Sequence, residues 1–358
     1  MLAAAALLAS CAGGPSTNVP STGGPAESRA LINRLLPDTL SDRAGWTADI
    51  YAGFTEQGIE PTRENICAVV AVTEQESGFR VDPVVPGMRA IAWREIDNRA
   101  ARAHVPTLLI HEALQLKSPT GRTYSERIDA ARTERDLSDI FEDFIGAVPL
   151  GKSLFADWNP IRTRGPMQVN IAFAERYVGA KPYPYPLKGS IADEVFTRRG
   201  SLYFGIAHLF AYAPPYDKYL YRFADFNAGQ YASRNAAFQN ALSLVTGEPL
   251  EQDGALLPHD SANNGIGATE LAARKLEGRL DISERAIHSA LGEAKTKEFE
   301  QTALYRGVFG LAERAHRRPL ARALVPRIEL HGPKIQHTLT TEWYAHRVDE
   351  RFKRCLSN

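Results

Sequence analysis

Residues 61–79 read Pro61-Thr62-Arg63-Glu64-Asn65-Ile66-Cys67-Ala68-Val69-Val70-Ala71-Val72-Thr73-Glu74-Gln75-Glu76-Ser77-Gly78-Phe79. From Ile66 to Thr73 nearly every face of a helix would be apolar, which predicts a helix buried at the centre of a core. Pro61-Thr62 supplies the opening, with Thr62 as cap and Glu64 in the first turn, where the helix dipole favours a carboxylate. Gly78 supplies the stop. Two carboxylates, Glu74 and Glu76, therefore sit at the end of an apolar helix. A charge there is unfavourable unless it is paired or used. Burial raises a carboxyl pKa, which suits a general acid at neutral pH. Glu76 continues the stripe of Val69 and Thr73, and Glu74 that of Cys67, Val70 and Ala71. Periodicity does not choose between them.

Outward from this helix the chain keeps helical periods. Trp46, Ile50, Tyr51 and Phe54 recur three and four apart, with Ser41 as a candidate cap. Further helices are expected near 91–103, 107–116, 124–146, 196–213, 219–226 and 234–245. A charged helical segment is expected over 269–301, with more helix to about 324. Pro326 to Pro333 reads as extended, and Thr340 to Leu356 as a final helix. The stretch from Glu248 to Asn264 is rich in Gly, Pro, Asp and Asn and reads as a loop. The fold class is mainly α. No internal repeat at a fixed period is visible.

The amino terminus, Met1 to Ala9, is an uncharged apolar run too short to span a bilayer, which needs about 20 apolar residues. It is long enough for the core of a secretion signal. It ends in Leu8-Ala9-Ser10-Cys11, which resembles the bacterial lipobox, with Cys11 as the lipidated residue. The following AGGPSTNVPSTGGPAES cannot build a core and reads as a flexible tether. In lipoproteins of this kind, Ala after the cysteine implies the outer membrane, facing the periplasm. Cys67 and Cys355 are the other two cysteines. They could pair in an oxidising compartment, or Cys67 could be a buried free thiol.

The 358 residues carry 42 Lys+Arg against 42 Asp+Glu, for a formal net charge of zero. That removes the global basic field expected of a nucleic-acid binder. At roughly 100–200 residues per domain, the chain is one large domain or two moderate ones. No Cys/His spacing fits a four-ligand zinc site, and no metal or cofactor is expected. His111-Glu112 begins like a zinc-protease motif, but position 115 is Gln. His331, His337 and His346 are scattered and read as surface or packing residues.

Two further motifs follow the helix. Arg164-Gly165-Pro166-Met167-Gln168-Val169-Asn170 joins a turn to an apolar residue and an amide, which can hold a sugar hydroxyl or acetamido group. Ala224-Asp225-Phe226-Asn227-Ala228-Gly229 places Asn, unfavourable within a helix, at a helix end. Each alone reads as ordinary structure. Together and in order, Glu76-Ser77-Gly78-Phe79, Gly165-Pro166-Met167-Gln168 and Phe226-Asn227-Ala228-Gly229 resemble the lytic transglycosylases of the goose-type lysozyme-like superfamily. The resemblance covers about 60–230, and the chain as a whole resembles an uncharacterised family of bacterial lipoproteins.

The resemblance implies a lysozyme-like helical domain over 30–247, with a large helical insertion at about 84–160. Around it lie a signal and lipobox (1–11), a tether (12–29), a loop (248–268) and a helical C-terminal extension (269–358). It implies that Glu76, the residue before Ser, is the catalytic carboxyl. Ser77, Met167, Gln168, Phe226 and Asn227 would bind substrate or orient Glu76, with Tyr344 as a further contributor. The implied substrate is the peptidoglycan glycan strand. Glu76 would protonate the leaving oxygen, then take a proton from the muramoyl 6-hydroxyl as a 1,6-anhydro ring closes.

This sequence departs from the pattern. Glu76 and Gln168 are 92 residues apart, far more than in the family, and Phe226 replaces the usual Tyr. Two alternatives stand beside the transglycosylase reading. One is an inverting hydrolase, needing a second carboxylate such as Asp82, Asp157 or Asp225. The other is a non-catalytic peptidoglycan-binding lipoprotein of the envelope.

Overall fold

The computed structural model describes residues 24–147, 159, 161–258, 266–330 and 339–358. Cys11, Asp157, His331 and His337 lie outside the described residues. The fold is mainly α. Among the described residues, strands occur only as two short antiparallel pairs, β1 (Thr163–Arg164) with β2 (Val169–Asn170) and β3 (Glu329–Leu330) with β4 (Leu339–Thr340).

Helices α1 (Pro25–Leu35), α2 (Arg43–Gln57) and α3 (Arg63–Ser77) begin the first core. Thr62 caps α3 by accepting from the Asn65 N–H, and Gly78 ends it at φ 58°. Residues Ile66 to Val72 are all buried, so α3 is the central rod that its apolar circumference predicts. The α2 cap is Asp42, not Ser41: the Asp42 carboxylate accepts from the Gly45 N–H one residue later than expected.

Helices α4 (Met88–Arg102), α5 (Thr107–Ala113), α6 (Tyr124–Ala130) and α7 (Glu134–Ala147) gather around their own apolar cluster of Met88, Tyr124, Ile128, Leu137 and Ile140. The single helix expected over 124–146 is broken at 131–133. There the Asp136 carboxylate accepts from the Arg132 and Thr133 N–H groups, so a side chain replaces the helical carbonyls.

Helices α8 (Ile171–Ala180) and α9 (Ile191–Phe196), which the sequence reading did not single out, lead into α10 (Arg198–Phe210) and α11 (Tyr219–Ala228). These pack on α2 and α3 in the first core. Helix α12 (Ala232–Thr246) belongs instead to a second core with α13 (Ala268–Arg274), α14 (Glu277–Leu280), α15 (Glu284–Gly292) and α16 (Ala303–His316). The charged stretch 269–301 is thus several short helices and 3-10 turns.

The last helix of the C-terminal extension expected over 269–358 is α17 (Thr341–Ser357). Unlike α13 to α16, it packs along α3 in the first core, burying Tyr344, Ala345, Val348 and Phe352. A disulfide joins Cys67 of α3 to Cys355 of α17. That resolves the open choice between a pair and a free thiol. No helix among the described residues is long and apolar enough to cross a membrane.

Candidate functional site

Glu76 stands in the last turn of α3, half-buried, on the wall of a groove enclosing about 1700 Å³. Gln168, Phe226 and Asn227 line the same groove. Three stretches distant in sequence are therefore brought to one cleft. It is lined by β2, α8, the end of α11, the start of α12, the 250–258 loop, the end of α15 and residues 327–329.

The two carboxylates left open by periodicity separate cleanly. Glu74 turns to α17, where Arg354 donates to it at 2.7 Å and Arg351 lies at 3.6 Å. It does not line the groove. Glu76 accepts a 2.5 Å hydrogen bond from the Tyr344 hydroxyl at its Oε1. Tyr344 is buried, and burial together with the neighbouring Glu76 charge pushes its hydroxyl well above the usual phenol range. The phenol stays protonated and acts as a fixed donor to the carboxyl.

Gln168 has a left-handed backbone at φ 49° and closes the turn between β1 and β2. Its Oε1 accepts from the Thr163 hydroxyl at 3.0 Å, and its Nε2 donates to the Gly165 carbonyl at 3.2 Å. Glu134 of α7 lies 3.4 Å from the same nitrogen, so the 88–147 segment touches the site. Phe226 meets the edge of His208 at 5.0 Å, and His208 meets Phe173 at 4.5 Å. The His208 Nε2–H donates to the Phe226 carbonyl at 3.2 Å. Burial pushes the imidazole down to about 4, so it is neutral at physiological pH. Asn227 is exposed, and its Oδ1 accepts from the buried Thr341 hydroxyl at 2.8 Å.

Three expected site residues are not on the groove wall: Tyr344, which reaches it only through Glu76, and Ser77 and Met167. Ser77 is buried, and its hydroxyl donates to the Thr73 carbonyl at 3.2 Å. One step along a helix turns a side chain by about 100°, so the residue after Glu76 faces away from the cleft. Met167 has no exposed surface. It lies beneath the groove against Gly205, whose missing Cβ makes room for the thioether. Neither lines the groove; both are buried in its support.

Of the carboxylates suggested for a hydrolase, the two among the described residues, Asp82 and Asp225, do not line the cleft either. Asp82 lies beside Arg135 at 3.9 Å. Asp225 is buried and accepts from Tyr212, Tyr216 and the Ser233 N–H. Neither lines the groove. Glu251, Asp253 and Glu329 do. Among the described residues no group of three or more His, Cys, Asp or Glu is placed to hold a metal ion.

The sequence model of a family described as "Protein of unknown function (DUF1615)" matches residues 39–358. The chain belongs to the DUF1615 family. A curated relative, "Uncharacterized protein YaiW" of Escherichia coli (strain K12), is 50% identical over 327 residues. That alignment covers 91% of this chain and 89% of the relative. No solved structure matches. The DUF1615 match spans α3, both later motifs and α17. Every element that builds the groove is thus part of the family's own extent.

Sequence reasoning missed Thr341 and Glu134; of α17 it named Tyr344 alone, which does reach Glu76. The available signal was spacing: Thr341 and Tyr344 are three apart on a helix, so both fall on one face.

Proposed function

We propose that this DUF1615 chain is a peptidoglycan lytic transglycosylase-like lipoprotein, cleaving the bond between N-acetylmuramoyl and N-acetylglucosaminyl residues with closure of a 1,6-anhydro ring. The observation that carries the reading is the Tyr344–Glu76 hydrogen bond on the wall of a groove shared with Gln168, Phe226 and Asn227. A binding module has no need of a carboxyl gripped by a buried phenol at the end of an apolar helix.

In the proposed reaction Glu76 protonates the glycosidic oxygen as that bond breaks. The resulting carboxylate is stabilised by the Tyr344 O–H, a hydrogen bond that favours the charged form. It then accepts the proton of the muramoyl 6-hydroxyl, whose oxygen attacks the anomeric carbon. The substrate supplies its own nucleophile, so no second carboxylate is required. Phe226 offers an apolar surface to a sugar face, and Gln168 and Asn227 offer amides to its polar substituents. The groove exceeds the few hundred Å³ of an ordinary small-molecule site, as a polymer requires. No cofactor enters the reaction.

The proposed setting is the cell envelope of a Gram-negative bacterium, with Cys11 carrying the lipid and the chain facing the periplasm from the outer membrane. The Cys67–Cys355 disulfide supports an oxidising compartment. The test is incubation of the full chain carrying Cys11→Ala with purified sacculi, followed by mass spectrometry. Anhydro-muropeptides that vanish in Glu76→Gln are expected. Reducing-end products one water heavier would indicate hydrolysis instead. Binding without fragments would indicate a non-catalytic wall-binding protein.

A further inference from the structure

The start of α17 touches two of the four expected site residues on the groove, Glu76 and Asn227, through two hydroxyls. Tyr344 holds Glu76, and Thr341, three residues earlier on the same face, holds Asn227. Thr341 is fully buried while Asn227 is exposed. The polar tie therefore runs from the interior outward. An unrestrained Asn side chain can present either its carbonyl or its NH2 to a ligand. Here the carbonyl oxygen is engaged by Thr341, which leaves the two N–H donors as the end offered to the groove.

We infer that Thr341 is a positioning residue that fixes the Asn227 amide as a hydrogen-bond donor, so that the site selects sugars bearing an acceptor carbonyl, namely N-acylated amino sugars, over their free-amine counterparts. The inference rests on the glycan-cleaving reading above and deepens it. A free amine is protonated at neutral pH and has donors only, so it meets the Asn227 N–H groups donor to donor. An acetamido oxygen accepts from them. A single turn of α17 then sets the distance between the proton donor Glu76 and the amide that registers the sugar. That places positioning residues on an element remote in sequence from the motifs they serve.

The experiment compares the wild type with Thr341→Val, which keeps the shape and removes the hydroxyl, and with Thr341→Ser, which restores it. Each is assayed on peptidoglycan glycan strands and on the same strands after chemical de-N-acetylation. On N-acetylated strands, Thr341→Val is expected to raise KM about tenfold, the worth of one hydrogen bond, with kcat changed far less. Thr341→Ser should return to within about twofold of the wild type. On de-N-acetylated strands the wild type and Thr341→Val should be equal, because the contact is already lost. A role confined to folding would lower both substrates alike and would sink the proposal, as would an unaltered KM in Thr341→Val. Thermal unfolding of each variant shows whether the fold is kept.

A second arm separates this inference from the activity itself. Binding of N-acetylglucosamine tetramer and of glucosamine tetramer is measured by calorimetry on Glu76→Gln, with and without Thr341→Val. If the wild type releases no products yet the N-acetylated tetramer binds more tightly and loses that preference in Thr341→Val, the transglycosylase reading fails and the Thr341 assignment stands. If products are released and the preference survives Thr341→Val, the assignment alone fails. If neither tetramer binds and nothing is released, both are overturned.

Discussion

Cys67 and Cys355 are joined nine residues before Glu76 on α3 and eleven residues after Tyr344 on α17. The two helices run antiparallel, with the disulfide towards one end, Glu74 paired with Arg354 and Arg351 between, and Tyr344 against Glu76 at the other. The disulfide thus holds in register the helix that carries the groove's fixed donor. Removing a native disulfide typically costs 2–5 kcal/mol. A Cys67→Ser, Cys355→Ser double variant should lose about 2–5 kcal/mol in denaturant unfolding. Product release should fall with it, because α17 detaches from α3 more readily. Unchanged stability with both thiols absent would show that packing alone holds the pair.

Glu76 and Tyr344 should separate kinetically. Glu76→Gln keeps the size and removes the acid, so product formation should fall by at least about 10³-fold, within the range that general acid–base catalysis contributes. Tyr344→Phe keeps the ring and removes one charge-assisted bond, so kcat should fall about 10- to 100-fold. Because a donor to a carboxylate favours its charged form, losing it favours the protonated acid. The basic limb of the pH–rate profile should move to higher pH in Tyr344→Phe. An identical profile would mean that the phenol plays no part in proton transfer.

The sequence was most informative where local rules suffice. The cap, the apolar circumference and the glycine stop of α3 all depend on neighbours within a few residues, and all three are found. The choice between Glu74 and Glu76 was not legible from spacing, because it depends on which side α17 occupies. Where α17 packs was open in spacing for the same reason; only the resemblance, through Tyr344, pointed it to the site. Its apolar face of Tyr344, Val348, Phe352 and Cys355 states that something is covered, not what. Ser77 and Met167 were misplaced because a motif names residues that recur together, while only burial tells which face a ligand and which support those that do.

The buried groups beside the groove give opposing pH dependences. Asp225 is pushed up to about 6 by burial, which outweighs the lowering by Tyr216, Ser233 and Tyr212. The native state then holds this proton more tightly than the unfolded chain. Its contribution is fully present below about pH 4 and is lost as the pH rises to about 6. His208 is pushed down to about 4 by burial. Its contribution is present above about pH 6.5 and is lost as the pH falls to about 4. Each amounts to about 3 kcal/mol over its window. Relative to the wild type, Asp225→Asn should make stability climb more steeply between pH 4 and 6.5, and His208→Gln should make it fall between pH 4 and 6. Urea unfolding at half-unit pH steps measures both slopes. Parallel curves for all three proteins would mean that the two groups titrate alike in native and unfolded chains.

Gly165 is the position where the site depends most on an absent side chain. Its φ is 70°, in the left-handed region, and a Cβ there would stand 2.2 Å from the Val195 carbonyl oxygen and 2.6 Å from the Ser201 Cβ. The first obstacle is backbone, which cannot swing aside, and the Ser201 hydroxyl is already committed to the Met167 N–H at 3.0 Å. Gly165→Ala should therefore cost at least about 3 kcal/mol, the sum of an unfavourable backbone well and overpacking. Gly247 serves as the control. It has φ 74° at the end of α12 but nothing within 4 Å of its Cβ position. Gly247→Ala should cost only the backbone share, about 1–2 kcal/mol. The two variants compared by denaturant unfolding isolate the close approach of the Gly165 turn to α9 and α10. The same approach fixes Gln168 three residues on, so Gly165→Ala should also weaken glycan binding, whereas Gly247→Ala should leave it unchanged. Equal losses of stability in the two would refute the close packing on which the Gln168 turn rests.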